Sequence, residues 1–466
     1  MISLVLSLVL FPGITAMAVE ETLQYGRFGK LTLYRNSSQP SHVVLFVSGD
    51  GGWNLGVVDM AQSLAGLDAL VVGIDITHYL KELDRAEEKC TYPAADFENL
   101  SKFVQKKLGF DHYRLPVLVG YSSGATLVYA LLAEAPPDTF QGAISMGFCP
   151  DLPLIKPFCA GYGLKSEPGP KGKGFNFLPA PKLKNHWIAF QGTIDQVCDA
   201  NAVDAYVKQV GNAEIVSVPR VGHGFSVQKN WLPQFREAFL RMVKESRSMV
   251  TAAPPATTAI ISDLPLVEIP APDSTKDLLA VIISGDGGWA SLDRDIGTSL
   301  AAKGIPVVGF NSLQYFWTPR NPGQASTDLE RIVRYYLAAW HKQRVLLIGY
   351  SFGADVLPFM AGHLPDELRQ RVSKVVLLGP GREASFEFHL SDWLGGRSEG
   401  ALPVADELAR LQGLKVLCLY GEDEKESLCR EVPSAETNIK AISLGGGHHF
   451  GGDYARLADL IVSQIP

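Results

Sequence analysis

The six residues SGDGGW occur twice in this chain, at 48–53 and again at 284–289. Each copy follows an apolar run, VVLFV in the first case and LLAVII in the second. Two further motifs repeat in the same order: GYSSGA at 120–125 answers GYSFGA at 349–354, and VGHGF at 221–225 answers GGHHF at 446–450. A six-residue identity containing Trp, in register with two other matches, marks an internal duplication. The chain must therefore build one kind of unit twice. A length of 466 residues suits two such units. They are placed at 20–247 and 262–466, with a linker at 248–261 whose Ala, Thr and Pro content favours extended chain.

Each half alternates short β-branched runs with amphipathic stretches, the pattern of βαβ units around a mostly parallel sheet. VVLFVS, ALVVGI, PVLVG, GAISMG, HWIAFQ and EIVSVP are the strands expected in the first half. AVIIS, PVVGF, RVLLIG, KVVLLG, KVLCLY and KAISLG are those of the second. Their unbroken apolar character implies helices on both sheet faces. Helices are expected at Leu329 to Trp340, Ala354 to His363 and Tyr454 to Ile465.

Residues 1–18 form an apolar run ending in Ala16-Met17-Ala18, an A-x-A cleavage pattern that reads as an export signal, although no Lys or Arg precedes the run. Six cysteines fit an oxidising compartment. Cys418 and Cys429 flank a strand end and can bridge, while Cys90, Cys149, Cys159 and Cys198 allow three pairings. No spacing matches a zinc site, and no metal or other cofactor is expected. A net charge of −7 without a basic stripe gives no footprint for nucleic acid.

Gly120-Tyr121-Ser122-Ser123-Gly124 and Gly349-Tyr350-Ser351-Phe352-Gly353 both match G-x-S-x-G. Each sits after an apolar strand and before a helix, where a sharp turn exposes a serine and only Gly tolerates the crowding beside it. An inherited turn without chemistry would read the same way. A serine hydroxyl also needs a base, and the base needs an acid. In the second half the acid is expected at Asp423 or Glu424, with His448 as base; in the first half the pair is Asp195 and His223. Matching Phe225 to Phe450 selects His448 over His449, and matching Gly192 to Gly421 pairs Asp195 with Glu424. Asp423 stays open, because a one-residue loop difference would exchange the two. Together these features give an α/β fold with two tandem α/β-hydrolase-like domains.

The SGDGGW loop follows the first strand of each core, where half of an oxyanion hole is expected. Its donors would be backbone N–H groups around Gly49 and Asp50, or Gly285 and Asp286, together with that of Ser123 or Phe352. A carboxylate there opposes an oxyanion, so Asp50 and Asp286 are expected to face a cationic substrate group. Segments 150–184 and 381–412 lack a parallel-sheet pattern and are expected to cap the sites, the second with Phe386, Phe388, Trp393 and Leu394.

SGDGGW, GYSFGADVLPF, GGGHHFGGDY and YFWTPRNP together resemble the VirJ family of bacterial virulence proteins, and the two-unit chain behind a signal resembles its longer AcvB type. The resemblance implies a periplasmic serine esterase that cleaves lysyl-phosphatidylglycerol, with Ser351, His448 and Asp423 or Glu424 as its triad. It also implies contacts with type IV secretion proteins, and the lipid substrate adds peripheral contact with a membrane surface. A lysyl ester carries two ammonium groups, so Asp286 and Asp355, with Asp392 in the cap, are expected to meet them. Two other readings remain: a general periplasmic esterase or thioesterase, and a non-catalytic binding protein that keeps the fold.

Overall fold

A computed structural model describes residues 19–85, 87–250, 261–271, 274–389, 400–432 and 438–465. The export signal, most of the linker, and Asp392, Trp393 and Leu394 lie outside the described residues.

The first half folds around an eight-stranded sheet: β1 (Val19–Tyr25), β2 (Gly29–Arg35), β3 (His42–Val47), β4 (Ala69–Ile74), β5 (Val117–Tyr121), β6 (Gly142–Met146), β10 (His186–Gly192) and β11 (Ala213–Val218). The intervening β7 (Asp151–Leu152), β8 (Ser166–Pro168) and β9 (Phe175–Phe177) form a small separate antiparallel sheet. The main order is β1-β2-β4-β3-β5-β6-β10-β11. Its last six members are parallel, and β1 and β2 are antiparallel at the edge.

The second half repeats this plan in β12 (Leu266–Ile269), β13 (Leu278–Ile283), β14 (Val307–Phe310), β15 (Arg344–Tyr350), β16 (Val372–Leu378), β19 (Val416–Gly421) and β20 (Ile439–Leu444). The order is β12-β14-β13-β15-β16-β19-β20, here with a single antiparallel edge strand where the first sheet has two, and β17 (Glu383–Ala384) pairs separately with β18 (Leu402–Pro403). Every predicted parallel strand is present. The antiparallel edges β1, β2 and β12 are additions to the predicted set.

Strand geometry explains the apolar runs. Val43, Leu45 and Val47 pack into the core on one face while Val44 and Phe46 pack on the other. Leu279, Val281 and Ile283 divide from Leu278, Ala280 and Ile282 in the same way. Both faces are buried, so the alternation leaves no polar positions in the strand.

The repeated SGDGGW is a structural motif as well. Ser48 Oγ accepts a hydrogen bond from Ile76 N–H at 3.1 Å, and Ser284 Oγ accepts one from Ser312 N–H at 2.9 Å. Each Trp lies flat against a strand glycine: a Cβ at Gly73 would come within 2.2 Å of Trp53, and one at Gly309 within 2.5 Å of Trp289. The motif thus ties the end of the first core strand to its neighbour, and Gly at 73 and 309 leaves space for the indole.

The halves are packed together. Trp317 Nε1 donates to Phe110 O at 2.8 Å, Gln314 Nε2 donates to Tyr113 O at 3.0 Å, and the Tyr113 ring is buried in the second half's core. The helix Pro93–Lys107 presents Glu98, Lys102 and Lys106 to this junction, one residue per turn along a single stripe. Lys106 Nζ donates to Trp317 O at 2.7 Å and pairs with Glu387 at 2.9 Å, while Lys102 Nζ reaches Asp286 O at 3.3 Å.

Candidate active site

Each G-x-S-x-G serine occupies the bend between a core strand and a helix. Ser122 has φ 55° and ψ −123°, and Ser351 has φ 52° and ψ −120°, a left-handed conformation uncommon outside glycine. The bend brings backbone so close that the flanking glycines are obligatory. A Cβ at Gly124 would lie 2.4 Å from Ser48 O, and one at Gly353 would lie 2.1 Å from Ile283 O. Ser123 and Phe352 open the helices that follow, where their N–H groups have no acceptor within the helix and can point at an anion. The SGDGGW loop lies alongside: a Cβ at Gly49 would sit 3.0 Å from Ser122 Cβ, and one at Gly285 3.5 Å from Ser351 Cβ.

In the first half the relay is complete. Ser122 Oγ lies 2.9 Å from His223 Nε2, and His223 Nδ1 lies 2.9 Å from Asp195 Oδ2. Because a carboxylate only accepts, Nδ1 carries the proton and Nε2 is free to accept from the serine. Burial pushes the Asp195 carboxyl up, but hydrogen bonds from Cys198 N–H, His223 and Val197 N–H outweigh it and hold the carboxyl below its usual range. Tyr121 OH steadies the histidine loop by donating to His223 O at 3.2 Å. Asp195, Cys198 and His223 place donor atoms within 4.8 Å of one another, but the Cys198 sulfur is spent in a disulfide. The cluster belongs to the relay.

In the second half Glu424 takes the acid position and hydrogen-bonds His448 Nδ1, while its other oxygen accepts from Gly421 N–H at 2.5 Å. Asp423 instead points outward, its side chain exposed. Ser351 and His448 face the same cavity, yet no hydrogen bond joins Ser351 Oγ to His448. The His448 side chain is 40% exposed, against 17% for His223, so it is the less confined of the two. His449 packs against Tyr350, whose hydroxyl lies 3.3 Å from its Nδ1, and burial followed by repulsion from His448 pushes its pKa down.

The two loop aspartates differ. Asp50 Oδ1 accepts from Ser123 Oγ at 2.5 Å. Phe352 replaces that serine in the second half, and Asp286 lines the cavity instead. Asp355 does not line that cavity: its Oδ1 accepts from Gly381 N–H at 2.6 Å, and desolvation pushes its carboxyl up. Phe386 and Phe388 are buried, packed on Phe316 and Phe352, and serve as core.

Two disulfides brace the acid loops. Cys149–Cys198 anchors the turn that carries Asp195, and Cys418–Cys429 closes the loop that carries Glu424. Cys90–Cys159 is the third bridge. The first-half residues Tyr92, Glu98 and Tyr162 also line the Ser351 cavity, a role with no motif to announce it.

No curated protein matches the chain. Solved structures resemble about half of it. Est1E from Butyrivibrio proteoclasticus is 15% identical over 49% of this chain and 100% of its own, with a TM-score of 0.33. An esterase domain from Rhodothermus marinus is 15% identical over 50% and 97%, with a TM-score of 0.32. An α/β serine hydrolase without lid from Xanthomonas campestris is 18% identical over 53% and 100%, with a TM-score of 0.32. The sequence profile described as bacterial virulence protein (VirJ) matches residues 41–148 and 277–466, well over half the chain. With both matched segments lying in the duplicated cores, the chain belongs to the VirJ family of bacterial virulence proteins.

Proposed function

We propose that this chain is a serine hydrolase that cleaves the aminoacyl ester of lysyl-phosphatidylglycerol in the periplasm. The observation that carries the hydrolase reading is the unbroken series Ser122 Oγ, His223 Nε2, His223 Nδ1 and Asp195, with Ser351, His448 and Glu424 at the equivalent positions. His takes the serine proton as Oγ attacks the ester carbonyl. The resulting oxyanion meets the N–H of Ser123 or Phe352 and the adjacent glycine loop, at Gly49–Asp50 or Gly285–Asp286, where one such donor is worth about 3–4 kcal/mol. The same histidine returns the proton to the departing glycerol oxygen, and water then releases lysine from the acyl-serine.

The second half is the better match to a lysyl ester. Its cavity carries carboxylates beside the nucleophile, whereas Asp50 is already engaged by Ser123. At Ser351 the imidazole of His448 closes onto the hydroxyl as substrate enters, since catalytic hydrogen bonds often tighten only in the loaded enzyme. Three disulfides support an exported protein. No helix among the described residues is long and apolar enough to cross a membrane, so contact with the lipid would be peripheral.

Lipid analysis of cells expressing the native chain, Ser122→Ala or Ser351→Ala tests this. Lysyl-phosphatidylglycerol should accumulate with Ser351→Ala. Equal lysyl-lipid in all three, with no fluorophosphonate labelling of either serine, would replace the enzyme by a binding protein.

A further inference from the structure

The cavity in front of Ser351 has a volume of about 790 Å³ and is built by both halves of the chain. Asp286, Asp293 and Asp295 come from the second half, while Glu98, Tyr92 and Tyr162 come from the first. Among the described residues, no Lys or Arg lines it. Two cations beside its lining residues are already committed: Lys102 pairs with Glu98 at 2.7 Å and donates to Asp286 O, and Arg294 pairs with Asp138. Lys102 thus offsets Glu98 and Arg294 acts on Asp295, while burial pushes the Asp293 carboxyl well above its usual range. The wall therefore holds more carboxyl groups than cations, and a cation entering it would favour their charged forms.

A second observation points to a missing partner. Asp293 is only 2% exposed, lines this cavity, and its Oδ1 has no hydrogen-bond partner among the described residues. A buried polar atom left unpaired costs roughly 1–3 kcal/mol, a cost that a hydrogen-bond donor entering the cavity would remove. Tyr162, 47% exposed, adds an aromatic face, which attracts cations through its quadrupole. A group that donates several hydrogen bonds, carries positive charge and tolerates an aromatic neighbour is an ammonium.

We propose that the Ser351 cavity holds an ammonium-binding site assembled across the two halves, in which Glu98 of the first half joins Asp286, Asp293 and Asp295, making the first half the specificity element of the second half's site. This rests on the reading of Ser351 as the nucleophile toward a cationic acyl ester, and it adds the residues that select the cation and the half that supplies them. Glu98 Oε1 would lie 3.8 Å from a Cβ at Gly287, inside the SGDGGW loop, so its charge reaches the ester end of the cavity. The pair with Lys102 holds it there.

The test separates binding from hydrolysis. L-Lysinamide and L-norleucinamide differ in the ε-ammonium and neither carries an ester. Titration calorimetry of the full chain should show lysinamide binding at least tenfold more tightly, with that preference reduced at least fivefold by Glu98→Gln and by Asp295→Asn. Thermal melting of each variant checks that it is folded, and Asp295→Asn covers the case in which loss of the Glu98–Lys102 pair disturbs the junction. Equal binding of the two amides by the native chain, or a preference that neither variant alters, overturns the site. Hydrolysis is then followed with the 4-nitrophenyl esters of lysine and norleucine in the native chain and Ser351→Ala. Ser351-dependent cleavage of both esters at equal kcat/KM overturns the ammonium site and leaves the hydrolase. Lysinamide preference with no Ser351-dependent cleavage does the reverse.

Discussion

Ser122 Oγ lies 2.9 Å from His223 Nε2, while Ser351, at the same bend of the other half, makes no hydrogen bond to His448. The two equivalent Ser-His-acid sets therefore differ in geometry, and the proposed hydrolase chemistry makes that difference testable. A small fluorophosphonate should label Ser122 faster than Ser351, as read from the two active-site peptides by mass spectrometry. His223→Ala should slow labelling of Ser122 by roughly 10²–10⁴, the range of a general base. Labelling of Ser351 at the same rate as Ser122 would show that the difference in hydrogen bonding has no chemical weight.

Glu424 and Asp423 are neighbours with opposite assignments, and substitution separates them. Glu424→Gln keeps the shape but no longer fixes the imidazole tautomer, and should lower kcat at the second site by about 10³–10⁴. Asp423→Asn should leave kcat within roughly twofold of native, as for a surface change away from the chemistry. The measurement is single-site turnover in a Ser122→Ala background. The reverse order would transfer the acid to residue 423.

The bridges beside the acids should support activity as well as stability. Loop-closure entropy assigns about 3 kcal/mol to Cys418–Cys429, separated by 11 residues, and about 4 kcal/mol to Cys149–Cys198, separated by 49. Cys149→Ser with Cys198→Ser should reduce turnover at Ser122 more than at Ser351, and Cys418→Ser with Cys429→Ser should do the opposite. Equal losses at both sites would point to general destabilisation instead.

Glu134 gives a dependence on pH. It is fully buried, Oε2 accepts from Ala94 N–H at 2.9 Å, and Oε1 has no partner among the described residues. Burial pushes its carboxyl up to about 9, from 4.5 when exposed. Between those values the folded chain holds a proton that the unfolded chain has released. This contribution is complete below 4.5 and is lost as pH rises toward 9, with a slope of up to about 1.4 kcal/mol per pH unit. Glu134→Gln should flatten the fall in urea midpoint between pH 5.5 and 8.5 by about one proton's worth. An unchanged slope would mean that Glu134 ionises without cost.

Much of this was legible in the sequence, for physical reasons that vary by element. The parallel strands announce themselves because both faces are buried, as Val43 to Val47 illustrate. The edge strands β1 and β12 are partly exposed and antiparallel, and VEETLQY or LVEI has too little contrast to separate strand from loop. Both bends were readable because the flanking glycines are forced by atomic contact. The acid was readable only to within one residue, since side-chain direction in a loop depends on partners such as Gly421 N–H. The shared cavity was not readable at all. Glu98, Lys102 and Lys106 form a charged helical stripe, and such a stripe has the same composition whether it meets water or another domain.

That stripe limits how the two copies can diverge. In an ordinary duplication, substitutions on a hydrophilic helix of one unit go unnoticed by the other. Here the Pro93–Lys107 helix of the first copy furnishes part of the second copy's vestibule, so drift at position 98 alters the wall in front of a serine encoded far downstream. The pair has become a single inheritance, because the first member cannot be retired without remaking the second one's doorway.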